Sequence, residues 1–119
     1  MDLTIELPWY PKELSPNARV HHWAVKARAA DRYRNTCAWA ARAQGLTLSD
    51  ADEVVMTIEF RPPDKRKRDR DNMIASIKAL QDGLMDAIGI DDSKFVVTYK
   101  IGPVAKRGKV IVTIEGEGE

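Results

Sequence analysis

The sequence predicts an α+β fold in the order β-α-β-α-β-β, with two main helices packed on a small mixed sheet. Four short segments are rich in β-branched residues or alternate apolar and polar residues, as half-buried strands do, and two longer segments repeat apolar residues at helical spacing. The 119 residues are 44% hydrophobic and 31% charged, which is typical of an ordinary globular chain. This length predicts a single domain over residues 1–119.

The first half contains one strand, one irregular segment and one long helix. "LTIEL" (Leu3–Leu7) alternates apolar and polar residues and predicts a strand. Residues 8–22 contain three prolines, so we expect a loop there. Residues 23–44 contain no helix breaker and are followed by Gly45; their apolar residues, including Cys37, follow the helical period.

The second half begins with the clearest strand. "EVVMTIEFR" (Glu53–Arg61) is rich in β-branched residues and is stopped by two prolines. Residues 73–89 form an amphipathic pattern that ends at a glycine. "KFVVTYKIG" (residues 94–102) and "KVIVTIEG" (residues 109–116) predict two more strands, joined as an antiparallel hairpin. The tail, residues 115–119, is expected to be frayed.

Composition limits the partners and the location of the chain. The formal net charge is only +1, so a nucleic acid must be recognised by a local patch. Cys37 is the only cysteine, which excludes an internal disulfide and a Cys-based zinc site. The N-terminus lacks a signal-peptide pattern and no run reaches the ~20 apolar residues of a membrane span. We therefore expect a cytoplasmic protein without a membrane partner, and a core this thin favours a homodimer.

The stretch "RPPDKRKRDRDN" (Arg61–Asn72) is the most basic part of the chain, yet it contains Asp69 and Asp71. In extended backbone, side chains two residues apart point to the same side, so both carboxylates would face one point. Paired oxygen ligands suit Mg²⁺ or Mn²⁺. The alternative is structural: Asp71 caps a helix that begins at Asn72, and Asp69 is a solvated loop residue.

Three further residues extend this prediction. Asp91 and Asp92 follow the second helix, and the loop that carries them can return to the end of the earlier strand and supply a third carboxylate; the alternative is a turn. Lys78 lies seven residues beyond Asp71, on the same face of a continuous helix, where its charge would reach a scissile phosphate. An ion pair of Lys78 with Asp82 is a compatible alternative.

A metal site at the aspartates would also assign a function to the basic residues around them. Lys65, Arg66, Lys67, Arg68 and Arg70 would attract phosphates while the aspartates hold a cation. The alternatives are a solvated loop or a localisation signal. The pattern favours a metal-dependent phosphodiesterase that acts on nucleic acid.

The aromatic residues and the histidines have two interpretations each. His21 and His22 are expected at a loop or helix start, with a general base or metal ligand as the alternative. Trp9, Trp23 and Trp39 either stack on unpaired bases or pack in the core or a dimer interface, and the helical position of Trp39 favours packing.

Four segments give the chain a family resemblance. "PPDKRKRDRDN", the helix with Lys78 that follows it, and "DDSKFVV" together resemble the RusA family of Holliday-junction resolvases. The opening "LPWYPKELSPNARVHHW" is also similar to that family, and the resemblance runs from about residue 3 to residue 115. It implies a homodimer that binds four-way DNA junctions and nicks two opposing strands symmetrically with Mg²⁺, for which Mn²⁺ substitutes. The products would carry 5′-phosphate and 3′-hydroxyl ends.

The resemblance also assigns residues. It implies that the metal ligands are Asp69, Asp71 and Asp92, with Asp91 as the alternative third ligand. Lys78 most nearly matches the catalytic lysine, although it lies about one turn further from Asn72 than in the family's shortest pattern. The DNA-contacting positions that it implies, together with those predicted from the basic run, are Lys12, Asn17, Arg19, Lys65, Arg66, Lys67, Arg68, Arg70 and Asn72.

Two other functions remain open at this point. One is a nuclease for another branched or single-stranded DNA, and the other is a module that binds junctions without cutting them. The carboxylates inside the phosphate-binding patch argue against a pure binder, because they weaken its attraction for phosphate.

Overall fold

The computed structural model describes residues 2–18, 22–46, 53–89 and 95–117. Within these ranges the chain forms four strands, three α-helices and one short 3₁₀ turn at Lys12–Leu14. In chain order the main elements are β1 (Asp2–Pro8), α1 (Trp23–Ala43), β2 (Glu53–Arg61), α2 (Arg70–Ser76), α3 (Lys78–Ile88), β3 (Phe95–Ile101) and β4 (Lys109–Glu117). The predicted α+β class and the mixed sheet are confirmed.

The sheet has the strand order β1-β4-β2-β3. β4 lies antiparallel to both β1 and β2, whereas β3 runs parallel to β2, from Val54 opposite Phe95 to Phe60 opposite Ile101. The predicted hairpin between the last two strands is therefore wrong. β2, the two helices that follow it and β3 form a β-α-β crossover, and a connection of that length permits parallel pairing.

The core lies on one face of this sheet. The inward residues of β2, Val54, Met56, Ile58 and Phe60, are fully or almost fully buried, and the helices pack over them together with Leu80 and Leu84 of α3. Apolar burial of this kind supplies most of the driving force for folding. Because β2 is anchored by this core, the basic segment, Arg61–Asn72, starts from a fixed strand end.

Helix α1 packs against α3 and against the end of β1. Its residues Tyr33 and Cys37 are buried, as its periodicity predicts. The Tyr33 hydroxyl donates a hydrogen bond to the Pro8 carbonyl oxygen at 2.7 Å, which joins the helix to the strand end that precedes the first loop. Trp39 is 73% exposed, so it does not pack in the core of the chain, and its packing in a dimer interface stays a prediction.

The predicted second helix is interrupted at Ile77, which separates α2 from α3. The Ser76 hydroxyl donates to the Asn72 carbonyl oxygen at 2.7 Å, a bond to the residue four positions back that often bends helices.

The last strand, β4, continues to Glu117 and pairs with β2. A frayed tail therefore does not begin at residue 115.

No helix in the described part of the chain combines the length and the apolar character that a membrane span requires.

Candidate nucleic-acid and metal site

The loop after β1 and the basic segment after β2 meet around an open hollow of about 240 Å³. We call it the basic hollow. Its lining residues are Tyr10, Ser15, Asn17, Arg66, Lys67, Arg68, Asp69, Asn72 and Met73. Six of these nine positions are site residues predicted from the sequence, so the fold brings the two predicted DNA-contacting segments together.

Asp69 is the N-cap residue of α2. Its Oδ1 accepts hydrogen bonds from the backbone amides of Asp71 at 2.8 Å and Asn72 at 3.2 Å. The helix begins at Arg70, so the alternative in which Asp71 caps a helix starting at Asn72 is wrong. Asp71 lies in the first helical turn, and the alternation of an extended chain does not apply to the pair. Instead, the cap folds the Asp69 carboxylate back over the turn that carries Asp71.

The donor atoms of this pair fit a divalent cation. Both bonds to Asp69 use Oδ1, and no hydrogen bond between described residues engages its Oδ2 or the exposed Asp71 carboxylate. Hard carboxylate oxygens of this kind are the ligands that Mg²⁺ takes. Asp91 and Asp92 lie outside the described residues, and within the described ranges no three acidic, histidine or cysteine side chains cluster as a metal site. The described residues thus supply two of the three predicted ligands.

Arg68 fixes the shape of the basic segment. Its guanidinium donates to the carbonyl oxygens of Asp64 at 3.1 Å and Arg66 at 3.0 Å, and its Nη2 lies 3.0 Å from Asp64 Oδ1. The same group lies over the ring of Trp9, 5.7 Å from its centroid, a favourable cation–π position. Because these contacts occupy Arg68 inside the protein, it holds the segment against the end of β1.

Asp64 is a structural residue that the sequence analysis missed. It pairs with Arg66 at 3.0 Å and accepts the Arg66 backbone amide at 2.9 Å. The hydrogen bonds from Arg66, followed by the one from Arg68, lower the pKa of Asp64 to about 2. The available signal was an aspartate after two prolines and two residues before an arginine, a spacing typical of a side-chain-capped turn.

The other cations of the segment differ in their surroundings. Lys65 and Lys67 are exposed and take part in no ion pair among the described residues. Arg66 pairs with Asp64 but keeps 79% of its side chain exposed. Arg70 donates to the Tyr99 carbonyl oxygen of β3 at 2.8 Å, which ties α2 to the edge of the sheet. Lys65 and Arg70 do not line the basic hollow.

Lys78 lies outside the basic hollow. Its Nζ is 3.6 Å from Asp82 Oδ2, so the ion pair given as an alternative in the sequence analysis is present. The prediction that Lys78 shares a face with Asp71 assumed one continuous helix, and the break at Ile77 removes that assumption. Lys12 is exposed on the 3₁₀ turn but does not line the hollow, and Arg19 lies outside the described residues.

Tyr10 also belongs to the basic hollow, and the sequence analysis gave it no role. Its ring stacks on Trp9 with 4.7 Å between centroids. Burial raises the pKa of Tyr10, against the opposing effects of the Arg68 charge and the Ser76 hydroxyl. The hydroxyl is therefore neutral at physiological pH and able to donate a hydrogen bond to a phosphate oxygen.

A carboxylate pair among cationic side chains suits a protein that binds a polyanion together with a divalent cation. The family model described as endodeoxyribonuclease RusA matches residues 8–115. The chain therefore belongs to the RusA family, as the motifs predicted.

Three relatives illustrate the family. The "Crossover junction endodeoxyribonuclease rusA" of Enterobacteria phage 82 is 33% identical over 120 residues, which cover 96% of this chain and 94% of the relative. The protein of the same name from Escherichia coli K12 is 33% identical over 121 residues, with 97% and 95% coverage. An uncharacterized protein of Xylella fastidiosa is 40% identical over 117 residues, with 95% and 76% coverage.

Proposed function

We propose that this protein is a metal-dependent endodeoxyribonuclease that resolves four-way DNA junctions by paired symmetric nicks, in DNA recombination and repair in the cytoplasm. The observation that carries the proposal is the basic hollow, where Asp69 lies among cationic side chains at the start of α2. Membership of the RusA family supports it, since named relatives are crossover junction endodeoxyribonucleases.

The residues of the hollow have separate roles in this proposal. Lys67 and Arg66 bind the phosphodiester backbone by charge, and Asn17 and Tyr10 of the loop after β1 orient it by hydrogen bonds. This positioning places the scissile phosphate beside the first turn of α2. Lys65 extends the positive field along the exposed part of the segment.

The acidic residues would hold the cofactor. Asp69, Asp71 and Asp92, or Asp91 in place of Asp92, would hold Mg²⁺ or Mn²⁺. When bound, the cation supplies Lewis-acid stabilisation of charge on the phosphodiester and lowers the pKa of an attacking water. The cap bonds to Oδ1 fix the rotamer of Asp69, so its free oxygen is oriented before the ligand arrives.

Paired cleavage follows from symmetry. A four-way junction has two-fold symmetry, and a two-fold homodimer would present two copies of the basic hollow to opposing strands. We therefore propose that the active form is a homodimer.

The decisive experiment compares DNA substrates on one gel. Wild-type protein with Mg²⁺ is incubated with a synthetic four-way junction, a linear duplex, a flap and a single strand, beside the variant Asp71→Asn. We expect paired nicks in the junction only, with Asp71→Asn binding the junction without cutting it, because removal of negative charge does not weaken phosphate binding.

The other outcomes identify the competing functions. Binding of the junction by the wild type without cleavage would indicate a junction-binding module, and preferential cleavage of the flap or the single strand would indicate another DNA substrate. Normal cleavage by Asp71→Asn would remove that residue from the metal site.

A further inference from the structure

A second depression lies next to the basic hollow. It is an open groove of about 430 Å³ between α1, α2, α3 and the loop after β1. Its lining is mostly apolar and includes four alanines, and we call it the alanine groove; the alanines are Ala27, Ala30, Ala75 and Ala79. Small side chains leave room for a flat group between the helices, and the volume lies in the range of small-ligand sites.

One loop separates the two depressions. Leu14 and Pro16 line the alanine groove, whereas the alternating residues Ser15 and Asn17 line the basic hollow. Helix α2 likewise contributes to both, with Ser76 in the groove and Asn72 in the hollow. A strand of DNA held in the hollow would therefore have its next nucleotides beside the groove.

The rim of the groove carries an exposed aromatic platform. Trp23 lines the groove and is 79% exposed. Its ring lies nearly parallel to that of His22, with 20° between the planes and 6.2 Å between centroids. A further flat ring placed on Trp23 would continue this stack, which is how proteins bind unpaired bases.

The groove is also flanked by cations. Lys26 of α1 and Lys78 of α3 line it, and Asp82 is the one acidic side chain among its lining residues. Among the described residues Lys26 takes part in no ion pair, and Lys78 contacts only the acidic side chain of Asp82, at 3.6 Å. Helix α1 contains five basic residues and one acidic residue, a net charge of +4 in a chain of net charge +1. This charge favours a polyanion over a second copy of the same positive helix.

We propose that the alanine groove takes one unstacked nucleobase of branched DNA, stacked on Trp23, with the flanking phosphates paired to Lys26 and Lys78. The inference rests on the proposed function, because a branch point offers unstacked bases close to the phosphate held in the basic hollow. The groove would thereby select branched DNA over linear duplex, in which every base is already stacked.

The test uses a photoreactive base. A four-way junction with 5-iododeoxyuridine at the branch point is bound by the full chain in the Asp71→Asn background, irradiated, and the cross-linked peptide is identified by mass spectrometry. We expect the cross-link on Trp23. It should disappear in Trp23→Ala and persist in Trp39→Ala.

Trp39 is a matched control on the same helix. It is 73% exposed, similar to Trp23, but lies 16 positions along α1, about 160° around the helix axis. By the usual strength of base–aromatic stacking, Trp23→Ala should weaken junction binding by about 5- to 150-fold, and Trp23→Phe should retain most of the affinity. Trp39→Ala should stay within about two-fold of the wild type, and linear duplex binding should be unchanged in all three.

A second variant closes the groove instead of removing the platform. Ala27 is exposed on the groove wall, so Ala27→Leu should block the base while Trp23 and the fold remain.

The proposal is overturned if Trp23→Ala and Trp39→Ala bind the junction equally, or if the cross-link maps elsewhere. It is also overturned if sedimentation shows that Trp23→Ala separates a dimer into monomers, since the groove would then be a protein interface. If the wild-type protein does not cleave the junction, that result would instead refute the proposed function.

Discussion

Substitution at Asp69 separates a structural contribution from a chemical one. Asp69→Ala removes the two hydrogen bonds from its Oδ1, to the amides of Asp71 at 2.8 Å and Asn72 at 3.2 Å. Loss of an N-cap costs about 0.5–2 kcal/mol, and because the side chain is exposed we expect about 1 kcal/mol. For a chain of this length that lowers Tm by about 3–6 °C.

Asp69→Asn gives a different result. Asparagine caps helices as well as aspartate, so Tm should stay within about 1 °C of the wild type. The amide is a poor ligand for Mg²⁺, so cleavage of the junction should be lost. The assays are thermal denaturation followed by circular dichroism and single-turnover cleavage of a labelled junction with Mg²⁺.

Asp71→Ala is the matched control for stability. Asp71 lies in the first turn of α2 but accepts no cap bond among the described residues, so its loss removes only the attraction of a carboxylate for the helix N-terminus, about 0.3–1 kcal/mol. If Asp69→Ala melts at the wild-type temperature, the cap does not stabilise the helix. Wild-type cleavage by Asp69→Asn would refute its assignment as a metal ligand, whatever the melting temperature.

Three further predictions follow from the packing and the charges. Replacing Lys65 and Lys67 together with alanine should reduce the slope of log Kd against log salt by about 1.8, measured by fluorescence anisotropy; an unchanged slope would remove both from the interface. Gly83→Ala should lower Tm, because a Cβ there would overlap the Arg34 carbonyl oxygen of α1 and lie 3.2 Å from the Ala38 nitrogen. The cost of this overpacking, about 1–3 kcal/mol, exceeds the ~1 kcal/mol gain in helix propensity. A higher Tm would refute this close packing. The stability contributed by the ion pairs of Asp64 should be present above its usual pKa of 3.8 and be lost as the pH falls towards about 2. If the free energy of unfolding is measured by urea denaturation at a series of pH values, Asp64→Asn should therefore lose less stability on acidification than the wild type. An unaltered pH dependence would contradict the assigned ion pairs.

The sequence predicted the elements of the fold better than their pairing. The bounds of β2 are those predicted from its β-branched residues and the prolines that follow, because local propensity and a Pro-Pro stop decide them. The partner of β3 could not be read from its alternating pattern, since alternation shows which face is buried and not which strand lies beside it. The long helical connection between β2 and β3 was the available signal for parallel pairing.

In the candidate site, too, local features were predicted better than tertiary contacts. Residues adjacent in the sequence, such as Arg66, Lys67 and Asp69, were found from their charge pattern, and the fold places them together with Asn17. The position of Lys78 was derived by assuming one continuous helix from Asp71 to Lys78. The helix is interrupted at Ile77, next to the hydrogen bond that the Ser76 hydroxyl donates to the Asn72 carbonyl oxygen. Tertiary contacts of single side chains therefore limit what spacing can predict.

The contacts inside the basic segment divide its cations by residue type. Arg61 pairs with Glu59 at 2.8 Å, Arg66 and Arg68 both pair with Asp64 at 3.0 Å, and Arg70 bonds the Tyr99 carbonyl oxygen.

The lysines of the same segment, Lys65 and Lys67, enter no ion pair among the described residues. A guanidinium has five donors in a planar fork and can bond a carboxylate and carbonyl oxygens at once, whereas an ammonium is a compact, hydrated charge on a flexible stem.

The carboxylates inside the segment thus organise its arginines and the start of α2, and the lysines, together with the largely exposed Arg66, remain available to phosphate. For this reason Arg68→Lys should not be a conservative change. It would retain the charge but lose the bonds to Asp64 and Arg66 that hold the wall of the basic hollow in place.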